Sequence, residues 1–184
     1  LDVLTRYYII VPLDFKFELN VALEITERCN LHCKHCCMDA IPASRNTDLS
    51  TEHWKSVIDK LSTLGITGLT LTGGEPLVRD DFFEIAQYAK DKLNVPLQLM
   101  SNATLITAEN AKRISELFSD YSFSLDGADE KSCSAVRGCG VFERAMNGIK
   151  CMQTVGMEHY SLSFTEVKQN QYALDQFYDL AESM

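Results

Sequence analysis

Leu61-Ser62-Thr63-Leu64-Gly65-Ile66-Thr67-Gly68-Leu69-Thr70-Leu71-Thr72-Gly73-Gly74-Glu75-Pro76 reads as the tail of a helix, a short strand and a glycine loop. Before it, Ser50 is a good N-cap and Glu52 suits a first helical turn. Trp54, Val57, Ile58, Leu61 and Leu64 then recur at helical spacing, and Gly65 supplies a C′ stop. Leu69 to Thr72 follows as a strand, ended by Gly73-Gly74-Glu75-Pro76.

The same helix-and-strand unit repeats in both directions. Downstream, Asp80 is expected to cap a helix with Phe82, Ile85, Ala86 and Ala89 on one face, and Val95 to Met100 reads as the next strand. Thr107 caps a helix carrying Ala111, Ile114, Leu117 and Phe118, and Tyr121 to Leu125 is a further strand. Phe142, Ala145, Met146, Ile149 and Met152 mark a helix closed by Gly156. Tyr160, Leu162 and Phe164 alternate along another strand, and Leu174, Phe177, Tyr178 and Ala181 begin a last helix. Upstream, Leu19, Val21, Leu23 and Ile25 alternate with polar residues at the period of a strand, which leads into a cysteine-rich loop and a polar stretch from Asp39 to Asp48.

Repeated βα units make a parallel sheet covered by helices. Periodicity leaves open whether that sheet stays open or curls into a barrel. In either case the loops after the strand C-termini form the ligand face. Here those loops are the cysteine loop, Gly73–Pro76, Ser101–Thr104 and the run from Asp126, so every unusual residue falls at one end of the sheet.

The chain has 184 residues, enough for one domain with its own core. It carries 26 acidic and 17 basic side chains, a net charge of −9, which argues against a nucleic-acid surface. The longest apolar stretch, Tyr7 to Leu13, is too short to span a membrane and lacks the cleavage site of a signal peptide. A cytoplasmic protein is expected. The chain opens on Leu1 and stops at Met184 inside a helical pattern, which reads as a piece of a longer protein.

Seven cysteines is an odd number, unlike an extracellular disulfide framework. Three of them form Cys29-x-x-x-Cys33-x-x-Cys36. Three thiolates on one loop can hold three irons of a cubane cluster and leave the fourth open to a small chelating ligand. Zinc is the rival, with Cys37, His32 and His35 interleaved among the same ligands. A zinc loop usually needs a second ligand pair, and Cys133 and Cys139 are far off in sequence. A thioredoxin-like dithiol at Cys33 and Cys36 lacks the expected strand-to-helix setting.

Cys29-Asn30-Leu31-His32-Cys33-Lys34-His35-Cys36 resembles the signature loop of the radical S-adenosylmethionine (radical SAM) superfamily. Three more segments match in order: Leu71–Leu77 resembles its GGEP motif, Ser101–Ile106 the loop after the third strand, and Ser122–Gly127 the fourth-strand motif. Ala135-Val136-Arg137-Gly138 and Val141-Phe142 follow. Position 103, usually Gly in the family, is Ala here. The match runs from about residue 19 to about residue 170 and resembles the branch that carries a C-terminal SPASM or twitch extension.

The resemblance implies a partial (β/α)6 barrel of the radical SAM type, truncated before the sixth strand. It implies an N-terminal arm or extra strand over residues 1–18, an incomplete core over 19–184, and a C-terminal cluster-binding extension that is absent. Cys29, Cys33 and Cys36 would hold a [4Fe–4S] cluster whose open iron binds S-adenosylmethionine. The carbonyls of Gly73 and Gly74 would receive the methionyl ammonium, with Glu75 nearby, and the glycines would allow close backbone approach. Ser124, Asp126 and Asn102 are expected at ribose or carboxylate, His35 near adenine, and Arg137 at the carboxylate with Arg144 as competitor.

The implied reaction is reductive cleavage to methionine and a 5′-deoxyadenosyl radical, which abstracts hydrogen from a substrate. A peptide or protein side chain is the first expectation and a small molecule such as a tetrapyrrole the second, with electrons from a donor such as flavodoxin or ferredoxin. A zinc or iron–sulfur module without radical chemistry is the reading from another class, and the Gly73–Pro76 motif speaks against it. Blander readings hold elsewhere. Glu75 is able to cap the following helix, and Asp126-Gly127 alone is an ordinary turn. His53 and His159 suit the surface or a half-buried place, Cys151 suits packing in a helix, and Cys37 suits a packed or inert role. Cys133 and Cys139 flank a loop near the ligand face and suit an unligated role, with contact to substrate or partner as the alternative.

Overall fold

The computed structural model describes residues 18–45 and 47–184. The arm expected over residues 1–18 lies outside them except for Glu18. Five strands form one parallel sheet: β1 (Asn20–Glu24), β4 (Gly68–Thr72), β5 (Leu97–Ser101), β6 (Asp120–Ser124) and β7 (Ser161–Ser163), in that spatial order. Two short strands, β2 (Arg28–Cys29) and β3 (Ile41–Pro42), pair with each other and tie the start of the cysteine loop to the segment that follows it. The helices are α1 (Thr51–Leu61), α2 (Phe82–Lys92), α3 (Ala108–Leu117), α4 (Glu130–Arg137), α5 (Val141–Thr154) and α6 (Leu174–Ser183).

Consecutive parallel strands need a crossover, and the helices supply it. Ser50 caps α1 by accepting from the His53 amide at 3.2 Å. Thr107 and Asn110 form a reciprocal capping box on α3. Side chains alternate along the strands as a pleat requires. Leu69 and Leu71, Leu97 and Leu99, and Tyr121 and Phe123 point to one face and are buried. There they meet Ile58, Phe82, Ile85, Ala86, Ala111, Ile114, Ala145 and Ile149 from the helices in one core.

The opposite face carries polar side chains and no covering helix among the described residues. An open doubly wound sheet has helices on both faces, whereas a barrel turns one face inward. The one-sided cover is that of a partial barrel.

Three expectations need correction. Asp80 does not cap α2: Asp81 holds the N-cap position, and its carboxylate bonds Arg79 and Thr51 instead of the helix. The first helix ends at Leu61 rather than at Gly65, with a turn between them. Cys133, expected at the flank of a loop, lies within helix α4, capped reciprocally by Asp129 and Ser132. That places Cys133 in the core, while Cys139 is exposed.

Candidate active site

The cysteine loop crosses the carboxyl end of the sheet and is held at both ends. Its entry is fixed by a buried charge network. Asp48 accepts from the Thr26 hydroxyl at 2.6 Å and pairs with Arg28 at 2.6 Å and with Arg79 at 3.5 Å. Arg79 also donates to the Ile25 carbonyl at 2.8 Å and the Leu49 carbonyl at 3.1 Å, and pairs with Asp81 at 2.6 Å. The guanidinium thus binds the end of β1, the polar segment and its own helix start together. Further along the loop, the Lys34 amide donates to the Val136 carbonyl of α4 at 2.9 Å.

The glycine motif packs directly against this entry. The Gly74 amide donates to the Thr26 carbonyl, and the Glu75 amide to the Arg28 carbonyl, both at 2.8 Å. A Cβ at Gly73 would stand 2.4 Å from the Thr26 carbonyl, and one at Gly74 2.4 Å from the Arg28 carbonyl. Gly73 also has φ +148°. The close approach that these glycines allow is therefore first to the chain's own backbone.

Glu75 is fully buried. Its carboxylate accepts from the Asn102 amide at 2.8 Å, the Ser101 hydroxyl at 2.9 Å and the Leu77 amide at 3.2 Å. Burial raises its pKa to about 7 despite these donors. Glu75 also starts a short 3₁₀ turn (Pro76–Val78), which its side chain caps by accepting from the Leu77 amide. Asn102 links the two motifs: its side-chain amide lies 3.8 Å from the Cys29 sulfur and donates to the Asn30 side-chain oxygen Oδ1 at 3.0 Å. Ala103 follows with φ +60°, a conformation that favours Gly, and it is buried.

Asp126 organises the other end. One carboxylate oxygen accepts from Arg137 Nε at 2.6 Å and lies 3.0 Å from His35 Nε2, and the other accepts from the Thr165 amide at 2.6 Å. Its backbone carbonyl accepts from Asn170 Nδ2 at 3.1 Å. One buried carboxylate thus joins the cysteine loop, α4 and the segment after β7. Sequence reading placed Asp126 and Arg137 at ligand atoms; in the structure they hold each other. Arg144 is on the surface, where it donates to the Gly140 carbonyl. His35 Nδ1 is buried without a partner, and Ser124 stands half-buried on the open face.

Cys29 is buried, Cys33 and Cys36 are half-buried, and Cys37 is exposed. Burial is the main cause that lifts the Cys29 thiol to about 11, and the nearness of Glu75, Cys33 and Cys36 adds to it. Burial also raises Cys33, while Arg137, whose Nη1 lies 3.9 Å from that sulfur, opposes the rise. Cys29 and Cys33, which resist ionising, need a cation to hold them as thiolates. Among the described residues, no three donor side chains converge on one point as a single zinc ion requires. A cubane takes each cysteine on a different iron and needs no such convergence. The residues fit a cluster.

A three-cysteine loop seated on the carboxyl end of a partial β/α barrel, against a glycine–glutamate motif, defines the class as an iron–sulfur barrel. Residues 23–170 match the radical SAM superfamily, and the chain belongs to it. Members use a [4Fe–4S] cluster and S-adenosylmethionine, and the relatives are enzymes. The chain is 35% identical over 164 residues to an AdoMet-dependent heme synthase of Nitratidesulfovibrio vulgaris, covering 88% of this chain and 44% of that protein. It is 34% identical over 159 residues to the mycofactocin maturase MftC of Mycolicibacterium smegmatis, covering 86% and 40%. The fold matches Streptococcus suis SuiB, solved with S-adenosylmethionine, at a TM-score of 0.75 and 17% identity over 90% of this chain and 38% of that one. SuiB has also been solved bound to its precursor peptide SuiA. The chain thus spans less than half the length of these relatives.

Sequence reading missed Arg28, Asp48, Arg79, Thr165 and Asn170. Their only signal was charge or amide groups flanking the motifs, too common to select.

Proposed function

We propose that the protein containing this chain is a radical SAM enzyme that abstracts hydrogen from a peptide or protein side chain. Cys29, Cys33 and Cys36 hold the cluster in this reading. Gly73, Gly74 and Glu75 take the methionyl end of S-adenosylmethionine, with Asn102, Ser124, Asp126, Arg137 and His35 around the rest of it. When bound and reduced, the pair supplies a primary carbon radical made by splitting the sulfonium. The chain's own part is to orient that pair and to exclude water from it.

The observation that carries the reading is Asn102, which bonds buried Glu75 at 2.8 Å and reaches the Cys29 sulfur at 3.8 Å. Cluster loop and glycine motif are thereby one rigid unit. Arg137 and Asp126 act as positioning residues: each neutralises the other and fixes His35 and Cys33.

Electrons come from a flavodoxin or ferredoxin, and the protein works in the cytoplasm. No helix among the described residues is long and apolar enough to cross a membrane. A tetrapyrrole substrate is the second reading, favoured by the identity to the heme synthase. The peptide reading is supported by SuiB, which shares the fold and has been solved bound to a precursor peptide.

The test is anaerobic reconstitution of the intact protein, then reduction in the presence of S-adenosylmethionine. Formation of 5′-deoxyadenosine is expected. A cluster-loaded protein that makes none contradicts the reading.

A further inference from the structure

Glu75 and Arg79 stand at the two ends of the 3₁₀ turn Pro76–Val78. Glu75 reaches Asn102, and Arg79 reaches the chain that leads into the cysteine loop. The Arg79 side chain is only 3% exposed. Its Nε and Nη2 donate to the Asp81 carboxylate at 2.8 and 2.6 Å, and Nη2 also donates to the Leu49 carbonyl. Nη1 donates to the Ile25 carbonyl at 2.8 Å and lies 3.5 Å from Asp48. Every N–H group of the guanidinium has an acceptor within reach.

Residues 25–28, immediately before Cys29, are held on two sides. On one side stands the glycine motif. The Ile25 amide donates to the Thr72 carbonyl at 2.9 Å, and the Gly74 and Glu75 amides donate to the Thr26 and Arg28 carbonyls. On the other side stand Arg79 and Asp48. Arg79 takes the Ile25 carbonyl, while Asp48 accepts from the Thr26 hydroxyl and from Arg28 Nε at 2.8 Å. The Thr26 hydroxyl oxygen in turn accepts from the Arg28 amide at 3.0 Å. The Glu27 carbonyl accepts from the Ile41 amide at 3.0 Å. Each residue between β1 and Cys29 is thus tied to a neighbour.

Buried charge is a poor device for stability alone, because apolar side chains of similar volume often serve as well or better. What a guanidinium fork adds is fixed geometry, since its donors are rigid and planar. Geometry matters at a reacting centre, where a misplacement of about 1 Å costs roughly a hundredfold in rate. Arg79 belongs to the segment that carries Glu75, yet its side chain governs the opposite half of the site, the chain that carries Cys29.

We infer that Arg79, acting through Ile25 and Asp48, is a positioning residue that sets where Cys29 stands against the Gly74–Glu75 backbone. The inference rests on the radical SAM reading of the site and adds the element that aligns its two halves. The cysteines hold the cluster, and Arg79 fixes the register between them and the place where S-adenosylmethionine binds. Loss of the anchor therefore leaves iron in place and weakens the meeting of the two cofactors.

The test follows the electron paramagnetic resonance signal of the intact, reconstituted and reduced protein as S-adenosylmethionine is titrated. Arg79→Lys keeps the charge and loses the fork. It should retain iron and the cluster signal at the wild-type level. It should raise the S-adenosylmethionine concentration at half-maximal spectral change about tenfold or more, the size of one lost hydrogen bond to a charged group. Thr26→Val keeps the shape and loses the hydroxyl between Asp48 and Arg28. It should shift the same way, and Thr26→Ser should recover most of the loss. Met152→Ala is the control: it removes a buried side chain near the end of α5, at the amino ends of the strands, and lowers stability far from the anchor. It should leave the half-maximal concentration unchanged. Melting temperatures show which variants are folded.

An unchanged concentration in folded Arg79→Lys, a comparable rise in Met152→Ala, or iron lost to background in Arg79→Lys each overturns the inference and leaves the radical reading standing. Where Arg79→Lys does not fold, Thr26→Val decides by the same criteria. A wild-type signal that S-adenosylmethionine does not change removes the radical reading and this inference with it.

Discussion

The helix-covered face of the sheet and its open face are built by alternate residues of the same strands. On the covered side, Leu71, Leu99 and Phe123 are fully buried. On the open side, Thr72 is half-buried and Ser163 is exposed. The covered side holds the fold through burial, and the open side leaves its polar groups available. The difference shows where stability and function are separated in this chain: one residue along a strand moves from the first to the second. The cysteine loop at the strand ends belongs to both, since it is anchored by buried charge pairs and presents three thiols.

The largest break should come at the loop. Cys33→Ala is expected to reduce cluster iron and 5′-deoxyadenosine to background. Cys37→Ala, beside it but exposed, should leave the iron content of the reconstituted protein at the wild-type level. Loss of iron in both would show that the loop discriminates less than its geometry implies.

Next in size is the buried anchor. Asp126→Ala leaves Arg137 buried without its partner, and breaking such a pair costs about 3–5 kcal/mol. Urea denaturation of the apo chain measures this. A loss under about 1 kcal/mol would show that Arg137 finds water or another acceptor.

The two faces themselves can be compared directly. Leu99→Ala, on the covered side, should cost about 2–5 kcal/mol through transfer and cavity terms. Ser163→Ala, on the open side, should stay within about 0.5 kcal/mol of wild type. Equal effects in the same denaturation series would erase the distinction between the faces.

The smallest effect should be at Ala103. Its φ of +60° strains a residue with a Cβ, so Ala103→Gly should raise stability by up to about 1 kcal/mol. A clear loss would mean that the packed methyl outweighs the strain.

Much of this was legible in the residues. The alternation of Leu69 and Leu71, or of Tyr121 and Phe123, marks which strand face is covered. Cys29, Cys33, Cys36 and Gly73–Pro76 announce the site by type and spacing. Helix α4 was illegible because Val136 and Cys133 are its only apolar side chains turned inward, too few to set a period, and Gly138 and Gly140 suggest a loop. The Arg28–Asp48–Arg79 network was illegible for another reason. Its members are far apart in sequence, and only the fold brings them together. Asp126 was read by position as a ligand contact, yet its oxygens meet Arg137, His35 and Thr165 first.

The central claim is that Cys29, Cys33 and Cys36 hold a cluster with an open iron next to the Glu75–Asn102 pair. Electron paramagnetic resonance of the reduced, reconstituted intact protein, recorded before and after adding S-adenosylmethionine, tests it most directly. The account predicts a [4Fe–4S] signal that shifts when S-adenosylmethionine binds. A protein that takes up zinc, or a cluster signal that S-adenosylmethionine leaves unchanged, would contradict it.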